Sequence, residues 1–256
     1  MTDSTSTTDA ASVTIRVRIG RFLFTYRNLI FPAIAVLLIV FMRPVLFMGN
    51  PKADLMLDLA GFGIAFAGQL LRAVVIGLAY IKRGGKDRMI DAPKLVRQGV
   101  FSLSRNPLYV GNMLIVLGLV VIYNSPWAYA IVLPGFFLAY VCIVSAEEEF
   151  LRRKFGAEYD QYCAEVNRFF PTPGKARWVF EGGHFDVKRV IRKDYTSAFY
   201  WFTLALALMV WERVQDASFE VARPRAEVLG GIWLAGLAVW IVARVLKQGK
   251  YLASPD

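Results

Sequence analysis

Six long stretches of this chain run almost without charge, and nothing constrains its fold more. A helix needs about 20 mostly apolar residues to cross the hydrocarbon layer of a bilayer, and within that layer every backbone polar group must be satisfied inside the protein. The stretches are 29–48, broken late by Arg43-Pro44; 59–81, interrupted by Gln69 and Arg72; 108–123; 127–146, with Pro134 inside it; 197–211; and 228–245. Asn124-Ser125-Pro126 makes a tight turn, so the third and fourth stretches form a helical hairpin. Composition agrees: 56% of residues are hydrophobic and only 20% charged, against about 45–50% and 25% in soluble domains. The chain is expected to be all-α, a polytopic integral membrane protein with about six transmembrane helices, and its first partner is the lipid bilayer.

The formal net charge of +10 would suggest nucleic acid in a soluble protein. Here the basic residues flank the apolar runs, which is the pattern of membrane topology, and no nucleic-acid partner is expected. Segments 1–27, 82–106, 147–195 and 247–256 carry four, seven, ten and two Lys and Arg, whereas the opposite connections share five. Six crossings then put both termini and both long polar segments in the cytoplasm, consistent with a bacterial inner membrane. Residues 1–15 are rich in Ser and Thr, lack Lys and Arg and have no apolar core; they read as a tail and not as a secretory signal. The expected organisation is a disordered tail over 1–23, two transmembrane helices over 24–89, a core over 90–171 built on the hairpin, and a C-terminal extension over 172–256 with two further spans.

Several chemistries are excluded. Cys142 lies in an apolar run and Cys163 in a polar one, so neither a disulfide framework nor zinc spacing is present. The single histidine, His184, sits in Glu181-Gly-Gly-His-Phe-Asp186, a polar turn, and no metal is expected. Gly61-x-Gly63 does not complete a dinucleotide fingerprint, and no phosphate-binding loop or nucleophile motif occurs.

Two constellations stand where the hairpin meets the cytoplasm. The first is Leu95-Val96-Arg97-Gln98-Gly99-Val100-Phe101, followed by Ser104-Arg105-Asn106-Pro107-Leu108-Tyr109-Val110-Gly111-Asn112. Asn106 suits an N-cap and Pro107 the first helical position; the same helix start, with its free N–H groups and positive dipole end, also favours a carboxylate. The second is Glu147-Glu148-Glu149-Phe150-Leu151, then Phe155-Gly156-Ala157-Glu158-Tyr159 and Tyr162. Three adjacent carboxylates are costly at a membrane exit. A solvated helix end accounts for Glu149; a pair of carboxylates there suits a cationic ligand or ribose hydroxyls. Leu151 and Phe155 continue an apolar stripe, so the helix is expected to run past the membrane. A third feature is Arg72, a charge inside a span, which either faces protein or snorkels to headgroups. Gly63 and Ala67 offer small-residue spacing for close helix packing.

At these residues the chain resembles the isoprenylcysteine carboxyl methyltransferase family, which is related to the bacterial phospholipid methyltransferases. The shared pattern is Leu95-Val96, Gly99, Phe101, Arg105-Asn106-Pro107-Leu108-Tyr109-Val110-Gly111, a hydrophobic hairpin, Glu147-Glu148 with Leu151, Phe155-Gly156-Ala157-Glu158-Tyr159, Tyr162, and Arg168 before Pro171. The resemblance implies a membrane-embedded, S-adenosylmethionine-dependent methyltransferase with a cytoplasmic cofactor pocket between the two motifs. It implies a cofactor wall of Lys94, Leu95, Val96, Phe101, Asn106, Pro107, Leu108 and Tyr109, faced by Glu147. Arg105, Tyr109 and Glu148 are the residues it brings nearest the chemistry, with Glu148 or Tyr109 as base for an amine acceptor. The acceptor would be a lipid-like or small carboxylate, amine or thiol. Asn106 stands where many members have His, and Ile143 where some prenylcysteine enzymes carry a substrate-contacting Arg. Two other classes fit a membrane bundle: an NADPH-dependent reductase related to sterol reductases, for which the basic run from Lys82 to Arg88 would hold a 2′-phosphate, and a non-enzymatic scaffold.

Overall fold

A computed structural model of the chain describes residues 5–78, 92, 94–175, 179, 184–249 and 251–252, with the backbone alone at 5–14 and 38. Among the described residues all regular structure is helical: α1 (Thr5–Phe41), α2 (Pro51–Leu78), the single turn α3 (Val100–Leu103), α4 (Pro107–Tyr123), α5 (Leu133–Phe155), α6 (Ala157–Glu165), α7 (Val187–Asp216) and α8 (Phe219–Gln248). Four helices are long and apolar enough to cross a membrane, namely Ile15–Phe41, Pro51–Leu78, Ala128–Phe155 and Phe219–Gln248; Pro107–Tyr123 is apolar but shorter. The protein is an all-α integral membrane protein. Large apolar side chains on the outer helices stay uncovered, among them Leu29, Val40, Val228 and Val239, as lipid-facing residues do.

Each of the six apolar stretches lies in a helix, with altered ends. The first ends at Phe41 and not at residue 48, because Pro44 lacks an N–H and restrains Arg43. It also begins earlier than residue 29. Helix α1 already includes residues 15–23, where a disordered tail is expected to continue; Val17 and Gly20 are buried there. A Cβ on Gly20 would strike the carbonyl of Cys142, so α1 lies directly on α5. The fourth stretch opens with a π turn at Ala128–Val132 before α5. Pro134, which cannot serve an α ladder, falls just beyond this wider register. Asn124 closes α4 in the left-handed region at φ 41°. The end of the second stretch and the Lys82–Arg88 run lie outside the described residues.

The centre of the bundle is the contact between α2 and α4. It is made by Gly61, Ala65, Gly68 and Arg72 on α2, all buried, against Gly118 and Gly111 on α4. A Cβ on Gly61 would come within 2.7 Å of the Gly118 carbonyl oxygen, and one on Gly68 within 2.6 Å of that of Gly111. The close-packing face is therefore not the expected one: Gly63 and Ala67 are exposed. Gly61, Ala65, Gly68 and Arg72 recur at helical spacing and share a face. Helix α7 lies across α2 and α4, with Trp201, Leu208 and Met209 in one apolar cluster with Val120, Ile122 and Tyr123, and α8 packs outside α7.

Candidate active site

The first motif folds as an extended segment, the turn α3, and the start of α4. Gly99 enables the entry with a φ of 65°. Strand-like bonds then tie this segment to the chain after α6: Arg105 N–H donates to Asn167 O at 2.9 Å, and Thr172 N–H to Leu103 O at 2.7 Å. The Tyr162 hydroxyl donates to Phe101 O at 2.7 Å and the Ser104 hydroxyl to Phe169 O at 3.0 Å. Burial pushes the Tyr159 and Tyr162 phenols well above their ordinary range, so both remain neutral donors. Asn106 occupies the N-cap position and Pro107 follows it, as expected, yet the Asn106 side chain does not cap. Its amide donates instead to Arg168 O at 3.1 Å, binding the two motifs together.

The second motif brings its carboxylates in from α5, which extends to Phe155 before Gly156 (φ 54°) breaks it from α6. Leu151 and Phe155 pack on Tyr159, Tyr162 and Val166, so the stripe does continue past the apolar run. The Tyr109 hydroxyl donates to Glu147 Oε1 at 2.7 Å. Glu148 lies between two guanidiniums, 3.1 Å from Arg105 Nη2 and 2.9 Å from Arg168 Nη2. Arg105 also donates to Cys163 O at 3.1 Å, and Arg168 to the Ser145 hydroxyl at 2.8 Å. Glu149 turns away to pair with the exposed Arg153 at 2.7 Å, which is the solvated helix end anticipated for it.

Arg72 faces protein. It pairs with Asp194 of α7 and donates to the Asn112 side chain of α4. Gln69 donates to Asp194 at 2.8 Å and accepts from the Trp201 indole at 3.0 Å. The chain beyond residue 172 is thus joined to the core by a buried polar network, in which removing one partner leaves a charge uncompensated.

These parts surround one cavity of about 1750 Å³. Lys94, Leu95, Val96, Phe101, Arg105, Asn106, Pro107, Leu108, Tyr109, Glu147 and Glu148 all line it, so the residues expected in the cofactor wall and nearest the chemistry border the same space. From that polar head an apolar limb continues along Phe31, Ile115, Leu119, Phe136 and Leu204 to Leu208. Other lining residues were not foreseen. Arg27, which reads in the sequence as a topological charge, stands in the wall with its guanidinium 4.2 Å above the Phe24 ring. Trp201 and Leu204 come from α7, far from either motif in sequence. Arg168 had a signal, since it closes the second motif, but its role in holding Glu148 follows only from the folded chain. Ile143 is fully buried with Phe24 and Tyr140. It packs toward α1 and is not among the lining residues.

Residues 59–158 match the phospholipid methyltransferase family. The resemblance carried by the motifs holds over this segment. The family segment starts earlier than the expected core, taking in most of α2, and stops at the beginning of α6. Over 167 residues the chain is 27% identical to the cobalt-zinc-cadmium resistance protein CzcN of Cupriavidus metallidurans, covering 64% of this chain and 69% of that one. It is 36% identical over 78 residues to the nickel-cobalt-cadmium resistance protein NccN of Alcaligenes xylosoxydans xylosoxydans, 30% of this chain and 36% of the relative. It is also 36% identical over 84 residues to a probable protein-S-isoprenylcysteine O-methyltransferase of Oryza sativa subsp. indica, 32% of this chain and 42% of the relative. The chain thus spans less than half the length of the last two. No solved structure matches it. Family and relatives support a membrane methyltransferase and do not favour the reductase or scaffold alternatives.

Proposed function

We propose that this membrane methyltransferase uses S-adenosylmethionine to methylate a lipid-like acceptor from the cytoplasmic side of a bacterial inner membrane, with both termini in the cytoplasm. The observation that carries the reading is the shared cavity, with a charged head made by the two motifs and an apolar limb running into the bundle. Its volume exceeds the ~300–1,000 Å³ of common small-molecule sites, leaving room for an apolar chain beside a nucleoside. The excess of Lys and Arg at the motif end supports the orientation.

The donor set fits the cofactor. Glu147 offers a carboxylate for ribose hydroxyls or an ammonium group, and Arg105, also in the wall, keeps a buried Nε–H without a hydrogen-bond partner among the described residues. Phe101 and Leu95 supply an apolar surface for a base. When bound, S-adenosylmethionine supplies an electrophilic methyl group on a positively charged sulfur. The protein's task is then to align an acceptor atom with that methyl and to keep water out. Arg105 and Arg168 fix Glu148 in place; these three are positioning residues. Tyr109 and Glu147, joined by a hydrogen bond, are the pair suited to take a proton from an amine acceptor. A carboxylate or thiolate acceptor needs no such transfer.

The test is binding of S-adenosylmethionine to detergent-purified protein, with S-adenosylhomocysteine and NADPH as competitors. Displacement by S-adenosylhomocysteine and not by NADPH is expected. Glu147→Ala should weaken binding by about 100-fold, the loss of one or two hydrogen bonds to a charged group, with the melting temperature held. Unchanged affinity in that folded variant would refute the site, and preference for NADPH would refute the reading.

A further inference from the structure

The end of the bundle opposite the motifs buries three carboxylates that the proposed methyl transfer does not use. Asp54 and Asp58 lie one turn apart on α2, and Glu212 comes from the end of α7; they are 2%, 1% and 6% exposed. One oxygen from each lies within 4.8 Å of the others. Asp54 Oδ1 accepts from Phe47 N–H at 2.9 Å. Asp58 pairs with Arg225 of α8, and the same guanidinium stands 3.6 Å from Glu212 Oε1, too far for a hydrogen bond. Asp54 Oδ2 and Glu212 Oε1 are buried with no hydrogen-bond partner among the described residues. Beside them is a small cavity of about 40 Å³, lined by Asp54, Glu212 and the chain at Pro44, Val45 and Leu46. The other charged residues on it, Arg213 and Asp216, pair with each other at 2.7 Å.

Three buried carboxylates set against one guanidinium leave two negative charges in excess. Like carboxylates so close cannot all ionise unless something positive joins them. Two buried, unpartnered oxygens on residues that line a cavity large enough for an ion and a water, with no histidine or cysteine in the cluster among the described residues, specify the missing group by its chemistry. We propose that Asp54, Asp58 and Glu212 hold a divalent cation of the hard, oxygen-preferring class, which neutralises the excess charge and clamps α2, α7 and α8 together. Histidine and cysteine spacing gives no sign of such a site, because its carboxylates come together only through distant helices. This site is independent of the methyltransferase reading, because it lies at the other end of the bundle.

The experiment uses the full chain in detergent, stripped with EDTA and titrated with Mn²⁺ followed by electron paramagnetic resonance, with Ca²⁺ and Mg²⁺ as competitors. One bound Mn²⁺ per chain is expected, displaced by at least one competitor, with a melting temperature raised by about 5 °C or more at saturation. Asp54→Asn and Glu212→Gln should each weaken Mn²⁺ binding at least tenfold. Should Asp54→Asn fail to fold through loss of its bond to Phe47, Glu212→Gln carries the test, since the Oε1 it alters accepts no hydrogen bond among the described residues. A folded wild-type protein that binds no Mn²⁺ at about 1 mM, the weak end of protein calcium sites, would overturn the proposal. So would undiminished binding in Glu212→Gln.

Discussion

At the motif end Glu148 sits between Arg105 and Arg168, so a buried negative charge meets two positive ones. At the far end Asp58 and Glu212 share Arg225, with the Asp54 carboxylate beside them. Both groups tie helices together, yet they respond to perturbation in opposite ways. A carboxylate with surplus cations around it is costly to remove, because its partners become uncompensated. A carboxylate with surplus anions around it is cheap to remove, because its neighbours are relieved. Burial and residue type alone do not distinguish these cases; the local charge balance does.

The sharpest way to break the comparison is to make the same substitution at both ends. Glu148→Gln leaves two guanidiniums facing a neutral amide and should cost about 3 kcal/mol of stability, read as a fall in melting temperature in detergent. A similar loss is expected of Asp194→Asn, which removes the carboxylate paired with the buried Arg72 guanidinium; if its melting temperature were unchanged, the network from α2 to α7 would hold nothing together. Glu212→Gln, measured in chelator, should change stability by under about 1 kcal/mol and toward the stable side; a loss as large as that of Glu148→Gln would equate the two ends and end the comparison. The smallest effect belongs to Asn106→Ala. It deletes one hydrogen bond to Arg168 O, worth about 1 kcal/mol, and should lower methyl transfer modestly without unfolding the chain; full wild-type turnover would leave the residue a helix start and nothing more.

What could be read from the sequence follows how local each signal is. The hairpin, the helix start at Pro107 and the carboxylates at Glu147 and Glu148 depend on neighbours in sequence, and the folded chain gathers them around one cavity. Arg72 was legible as an unusual charge, but its partner Asp194 is 122 residues away, and no local pattern announces it. The packing face of α2 was misread for a simpler reason. Gly63 and Ala67 satisfy a spacing rule, but Arg72 faces inward in the fold, and Gly68, Ala65 and Gly61 are the small residues on its side of the helix. The far-end carboxylates have no local signal: Asp54 and Asp58 precede the second apolar stretch, and only the fold brings Glu212 to them.

The contact between α2 and α4 has one more implication. Where Gly61 meets Gly118 and Gly68 meets Gly111, backbone touches backbone. Most doors between helices open when a side chain changes rotamer, and here there is none to swing. That wall has no side chain to move at these two crossings, so an acceptor with a lipid tail, as proposed, would have to enter past a different pair of helices.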